Sequence, residues 1–180
     1  ARFPWTLVLV KENYLTSSDP FVVEIGSNDG ILLENFSSQN IEHLGIEPSA
    51  NVAKVAISNG VNTQVSFFSQ KVSQSIVENR GKADVILAAN VMCHIPDLNE
   101  IAQAAQILLK DKGVLIFEDP YLGDMIQKVS YDQIYDEHVY IFSVMSVQNI
   151  FSSAEFELIE VVPQITHGGS MRYVLCKKGM

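Results

Sequence analysis

The apolar run Phe21-Val22-Val23-Glu24-Ile25 ends directly in Gly26-Ser27-Asn28-Asp29-Gly30. A strand that feeds a glycine turn and then a helix marks the entry to a parallel α/β sheet, because parallel strands need crossover connections. Gly26 has no Cβ, so a ligand can lie against its backbone, and Gly30 lets the chain bend into the next segment. That segment, Ile31 to Ser38, reads as a helix, with Asn28 or Asp29 available as its cap. The pattern is E-x-G-x-x-x-G and not G-x-G-x-x-G. In the dinucleotide fingerprint the second glycine admits a pyrophosphate; here Asn28 occupies that place. The loop therefore disfavours a dinucleotide and suits a smaller, nucleoside-like ligand with an amino-acid tail. A tight strand–helix turn without a ligand is the alternative reading.

Strands and helices then alternate. His43–Ile46, Asn62–Val65, Ala83–Ala89 and Val114–Glu118 have strand character, and Asn51–Asn59, Lys71–Asn79 and Leu98–Lys110 have helical apolar spacing. This rhythm predicts a doubly wound, Rossmann-like α/β sheet. Tyr121 to Ser143 breaks it as an irregular, aromatic-rich insertion. Val144–Ser153 resumes as a helix, and Phe156–Val162 and Met171–Cys176 read as two antiparallel strands that finish the sheet. The expected architecture is a mostly parallel, seven-stranded sheet with a final antiparallel strand, spanning residues 20–180. Residues 1–19 form an N-terminal helical or packing segment. The chain opens on Ala1 and not Met, which fits a cut or processed end.

Of the 180 residues, 47% are hydrophobic and 18% charged, the balance of a globular chain. The net charge of −9 and the absence of a Lys/Arg cluster argue against nucleic acid as a partner. No apolar run approaches the ~20 residues of a membrane span. The two cysteines, Cys93 and Cys176, are far apart and form no C-x-x-C. That spacing predicts neither a zinc site nor a disulfide framework, so no metal is expected and a reducing cytoplasm is the default location.

Ligands of open α/β sheets sit beyond the carboxyl ends of the strands. The polar residues there are Glu24 and the loop Gly26 to Gly30, then Glu47-Pro48, then Asn90 and His94. Glu47 either accepts both hydroxyls of a ribose or caps the helix that starts near Asn51. Phe67-Phe68 either flanks an adenine or belongs to the core. In the insertion, Tyr135-Asp136-Glu137-His138 brings a histidine next to a carboxylate, a candidate general base. Tyr135 could donate to a developing oxyanion. A structural role for His138 or His94 as a hydrogen-bonded core residue stays open. His167-Gly168-Gly169-Ser170 reads as a turn between strands or as a sugar or phosphate contact, and His43 is assigned no role.

Phe21 to Gly30, Gly45 to Ser49, Ala89-Asn90-Val91-Met92-Cys93-His94-Ile95-Pro96-Asp97, Phe117-Glu118-Asp119-Pro120-Tyr121-Leu122-Gly123-Asp124, Asp132 to His138 and His167-Gly168-Gly169 together resemble the deoxysugar C-methyltransferases. The glycine loop alone resembles motif I of S-adenosylmethionine-dependent methyltransferases in general. The resemblance covers about residues 20–175 and implies a class I methyltransferase fold. It also implies S-adenosyl-L-methionine as cofactor, held by Glu24, Gly26, Ser27, Asn28, Asp29, Gly30, Glu47, Pro48, Phe67, Phe68 and Asn90. The implied substrate is a small molecule, a nucleotide-linked 4-keto-deoxysugar methylated at C3. His138 would be the base, with Tyr135 and Glu137 beside it, and His94 or Tyr135 would hydrogen-bond the enolate oxygen. Full-length members carry a cysteine-rich zinc-binding segment before this core and another α/β segment after it. The chain contains neither, and so reads as a fragment, an excised domain or a short member. An O-methyltransferase of the same fold and a non-catalytic cofactor-binding module are the alternatives.

Overall fold

A computed structural model of the chain describes residues 4–179, without the side chains of residues 4–7 and of His167. Residues 1–3 of the N-terminal segment, and the reading of His167 as a sugar or phosphate contact, lie outside the described residues. The strands are β1 (Phe21–Ile25), β2 (Glu42–Ile46), β3 (Thr63–Gln64), β4 (Ala83–Ala89), β5 (Leu109–Pro120), β6 (Phe156–Gln164) and β7 (Ser170–Lys177). The helices are α1 (Pro4–Asn13), α2 (Glu34–Ser37), α3 (Ala50–Ser58), α4 (Gln70–Arg80), α5 (Leu98–Leu108), α6 (Leu122–Lys128) and α7 (Val144–Ser152). They build one seven-stranded sheet in the order β3-β2-β1-β4-β5-β7-β6. β1 to β5 pair in parallel, and β7 runs antiparallel to both of its neighbours. The expected class, a mostly parallel sheet with one reversed strand near its end, is the fold of this chain.

Every residue of β1 is buried, and β4 is buried up to Ala88. Strands this apolar are stable only with both faces covered. On one face Val23, Ile86, Phe117 and Tyr173 pack with Ile101, Ala105 and Leu108 of α5 and Phe151 of α7. On the other, Val22, Val85, Ile116 and Val174 pack with Leu33, Phe36 of α2, Ala56 of α3 and Val10 of α1. α5 begins where Asp97 accepts the N–H of Glu100 at 3.0 Å, an N-cap. Among the described residues no helix is long and apolar enough to cross a membrane.

Three elements depart from the sequence expectation. Of Ile31–Ser38 only Glu34–Ser37 is regular helix, because the preceding residues are taken up by turns, with Gly30 N–H bonded to Ser27 O at 2.9 Å. α5 stops at Leu108, and Leu109 already pairs with Ala83 of β4; the register then shifts before Val85 meets Val114. Lys110 stays at this end through a 2.7 Å ion pair with Asp84. The insertion is not irregular throughout. Leu122–Lys128 is helical, closed by an i,i+4 pair of Asp124 with Lys128 at 3.0 Å, and Val129 leaves it in the left-handed region (φ 56°).

β5 and β7 are tied by a buried ion pair of Arg172 with Glu118 at 3.0 Å, and Glu118 also accepts the Thr166 hydroxyl at 3.0 Å. Removing one member of such a pair strands a buried charge, whereas removing both often costs little. Arg172→Leu should therefore lose about 3–5 kcal/mol in urea denaturation. The double variant with Glu118→Leu should recover most of it. A loss under about 1 kcal/mol in the single variant would show that the pair does not anchor this sheet edge.

Candidate functional site

The sheet order reverses between β1 and β4, so their carboxyl ends open a crevice. At the end of β1, Gly26 takes a left-handed conformation (φ 64°), and its N–H bonds Ile46 O at 2.9 Å. A Cβ built on Gly26 would fall 2.6 Å from Val91 Cγ2, at the end of β4. Asn28 (φ 50°) and Asn90 (φ 52°) are also left-handed, a conformation that asparagine tolerates better than most residues. Such strained turns gather at functional sites. The result is a cleft of about 550 Å³, lined by Glu24, the Gly26–Asp29 loop, Glu47, Pro48, Asn90 and Val91.

Glu47 holds two backbone N–H groups, while the cap position of α3 is Ser49 and takes no side-chain cap bond. Glu47 Oε2 accepts Asn28 N–H at 3.0 Å and its Oε1 accepts Ser49 N–H at 2.8 Å, just before α3. The carboxylate is thereby fixed at the rim of the cleft. Gly30 lies outside the lining: a Cβ there would meet Val61 and Ala56, so the residue serves packing against α3. Phe67 and Phe68 also lie outside it. The segment after β3 turns Phe68 into the core (7% exposed) and Phe67 out to solvent (78% exposed), so they do not form a flanking pair.

Glu24 is 4% exposed, and its Oε2 has no hydrogen-bond partner among the described residues. Burial pushes its pKa well above the usual carboxylate range, and the charges of Asp29 and Glu47 push it further. A cationic group in the cleft would relieve this. In its absence the raised pKa means that the fold favours protonated Glu24, and stability falls as pH rises from the usual carboxylate range through the raised value. Glu24→Gln should therefore melt higher than the wild type at pH 8, with the difference vanishing near pH 4. It should also bind a cationic ligand of the cleft more weakly. Equal melting at both pH values would show that Glu24 carries no such strain.

Val91 leads into a 3-10 turn, Met92–His94. Cys93 N–H bonds Oδ1 of Asp119 at 3.2 Å, at the end of β5. Asp119 is wholly buried, which pushes it up to about 6 against the opposing pull of its bonds from Cys93. Burial in turn raises the Cys93 thiol, helped by Asp119. The insertion folds back over this turn. Tyr140 N–H bonds Cys93 O at 3.2 Å, the Tyr140 hydroxyl bonds Pro96 O at 2.7 Å, and Leu122 N–H bonds Phe142 O at 2.8 Å.

That return brings the two histidines together, with ring centroids 5.0 Å apart. His94 Nδ1 lies 2.8 Å from Glu137 O, and His138 Nδ1 lies 2.8 Å from Gln133 O. A carbonyl only accepts, so each Nδ1 carries its proton and each neutral ring keeps its lone pair on Nε2. The Tyr135 hydroxyl donates to Nε2 of His138 at 2.9 Å. Glu137 takes part through its backbone carbonyl, with its side chain exposed. Tyr135, His138 and His94 thus form one group, and Cys93 and Asp119 lie beneath it. Sequence reasoning assigned no role to those last two. The one signal was the position of Asp119 at a strand end, within a motif already noted.

A family profile described as "Methyltransferase domain" matches residues 9–161. The C-methyltransferase NovU of Streptomyces niveus is 34% identical over 87% of this chain and 37% of its own length. A ubiquinone biosynthesis O-methyltransferase of Colwellia psychrerythraea is 24% identical over 83% of this chain and 53% of its own length. The chain thus spans only about a third to a half of these relatives. Among solved structures, a SAM-dependent methyltransferase from Anabaena variabilis superposes with a TM-score of 0.75 at 14% identity, covering 97% of this chain and 83% of that one. The magnesium protoporphyrin IX methyltransferase ChlM of Synechocystis, solved with bound SAH, gives 0.70 at 13% identity, covering 98% and 82%.

Proposed function

The chain belongs to the S-adenosylmethionine-dependent methyltransferase domain family, and from that premise we propose that it C-methylates the carbon beside the ketone of a nucleotide-linked keto-deoxysugar. The observation that carries this reading is the Tyr135–His138 pair, in an insertion bonded through Glu137 O to the turn that continues from the cleft wall at Val91. The motif resemblance in Ala89–Asp97 and Asp132–His138 supports the sugar substrate, and the relative named a C-methyltransferase supports the bond type.

The cleft suits the cofactor. Glu24, Asp29 and Glu47 make it acidic, matching a ligand with sulfonium and ammonium charges, and Gly26 leaves the backbone open. Glu47 would take the ribose hydroxyls, and the Gly26–Asp29 loop, Pro48 and Asn90 would frame the rest. When bound, S-adenosylmethionine supplies an electrophilic methyl group on sulfur.

The protein's own chemistry is proton removal and charge placement. His138 is fixed by its Nδ1–H bond to Gln133 O, and takes the substrate's carbon proton on Nε2. The electron pair left behind moves into the ketone as an enolate. The Tyr135 hydroxyl covers Nε2 in this structure, so a substrate must draw it away. Once it swings to the ketone oxygen it donates where negative charge develops, and the same motion uncovers the base. His94 keeps its proton on Nδ1 for Glu137 O, so it donates from Nε2 only as imidazolium. The buried free cysteines Cys93 and Cys176 support a reducing, cytoplasmic setting.

The curated O-methyltransferase relatives favour a second reading, in which His138 deprotonates a hydroxyl. Incubation with a keto-sugar nucleotide in D2O separates the two. C-methylation predicts exchange of the proton beside the ketone before any methyl donor is added, and then a new C–CH3 signal by NMR. An O–CH3 signal without exchange would overturn the C-methylation reading.

A further inference from the structure

Both imidazoles beside Tyr135 are held as metal-binding histidines are held. Each donates Nδ1–H to a backbone carbonyl at 2.8 Å, which leaves Nε2 as the ring's lone-pair atom. One ligand atom from each of Cys93, His94 and His138 lies within 4.8 Å of the other two, with the thiol hydrogen-bonded to Asp119 beside them. We propose that these three side chains form a reversible Zn2+ site whose occupancy shuts off proton abstraction at His138.

One thiol and two imidazoles make a donor set that suits Zn2+ and leaves Mg2+ and Ca2+ without oxygen ligands. Bonds of about 2.0–2.3 Å around a tetrahedral ion place its ligands roughly 3.3–3.8 Å apart. The observed separation closes to that with side-chain shifts of about an ångström, and the Tyr135 hydroxyl moves off Nε2 as it does for a substrate. The ion displaces the thiol proton to solvent, and its fourth position is left to water. No ligand pair in the sequence has zinc-finger spacing. Two ligands come from the turn after β4 and the third from the insertion after β5, and the bonds of Tyr140 to Cys93 and Pro96, with that of His94 to Glu137 O, bring them together.

Binding does not depend on the proposed reaction; the inhibitory consequence rests on His138 being its base. Titration of the protein with Co2+ should give thiolate-to-cobalt charge-transfer absorption that saturates at one equivalent and is displaced by Zn2+. Cys93→Ser should lose that band, and Cys176→Ser should keep it. His94→Gln should weaken Zn2+ binding at least ~100-fold, since loss of an outer-shell partner alone costs 10–100-fold. A wild type without the band, or a band that survives Cys93→Ser, would overturn the site. S-adenosylhomocysteine, titrated in parallel with and without Zn2+, reports on the separate cleft. Failure there alone would count against the methyltransferase reading and leave the metal site standing.

Discussion

His138→Ala should abolish methyl transfer while leaving the affinity for S-adenosylhomocysteine unchanged. The expected loss is about 10²–10⁴-fold in kcat, the usual contribution of a positioned general base. The cleft proposed for the cofactor is built from the ends of β1, β2 and β4, and His138 belongs to none of them. The substitution removes one partner of Gln133 O, in a segment exposed enough for water to replace it. Tyr135→Phe should also lose activity, by about 10²-fold, because it removes the donor to the developing oxyanion but leaves Nε2 open. The measurements are calorimetric titration and single-turnover methyl transfer on both variants. Retained turnover in His138→Ala would remove His138 as the base. Lost cofactor affinity would show that the insertion and the cleft are one binding unit.

The parts of this fold legible in the sequence are those where one interaction dominates. β4 is apolar after Asp84 because both faces are buried, and its bounds were readable to the residue. The glycine loop was readable because Gly26 and Gly30 occupy left-handed conformations that most residues resist. The start of β5 was hidden because Leu109 to Gly113 do not follow the apolar period. Lys110 is held at the strand by Asp84, a contact with no local signature. Phe67 and Phe68 show the same limit. Adjacent aromatics read alike, yet only the turn after β3 decides which one enters the core.

At the candidate site, the residue types were legible and their roles were not. His94 and His138 were candidates from their positions in rim segments, but their pairing is made by backbone carbonyls. Glu137 binds His94 through its carbonyl oxygen, and the side chain that drew notice is exposed. Backbone acceptors carry no sequence signal. Asp119 escaped for a related reason: its partner is the N–H of Cys93.

Gly26→Val should lower the affinity for S-adenosylhomocysteine by more than ~100-fold, an effect separable from the strain it also adds. A side chain at φ 64° costs about 1–2 kcal/mol in the left-handed region. The new Cβ, 2.6 Å from Val91 Cγ2, forces a residue of the cleft wall to move. Gly30→Ala supplies the control. Its φ of 82° is equally unfavourable, and its Cβ would lie 2.9 Å from Val61 Cγ2 and 3.0 Å from Ala56, on the side of α3 and away from the cleft. Gly30→Ala should therefore lower the melting temperature and keep affinity within a few-fold. If the two variants lose affinity alike, loop strain governs binding and close backbone approach does not. Unchanged affinity in a folded Gly26→Val protein would mean that the ligand does not lie against this loop.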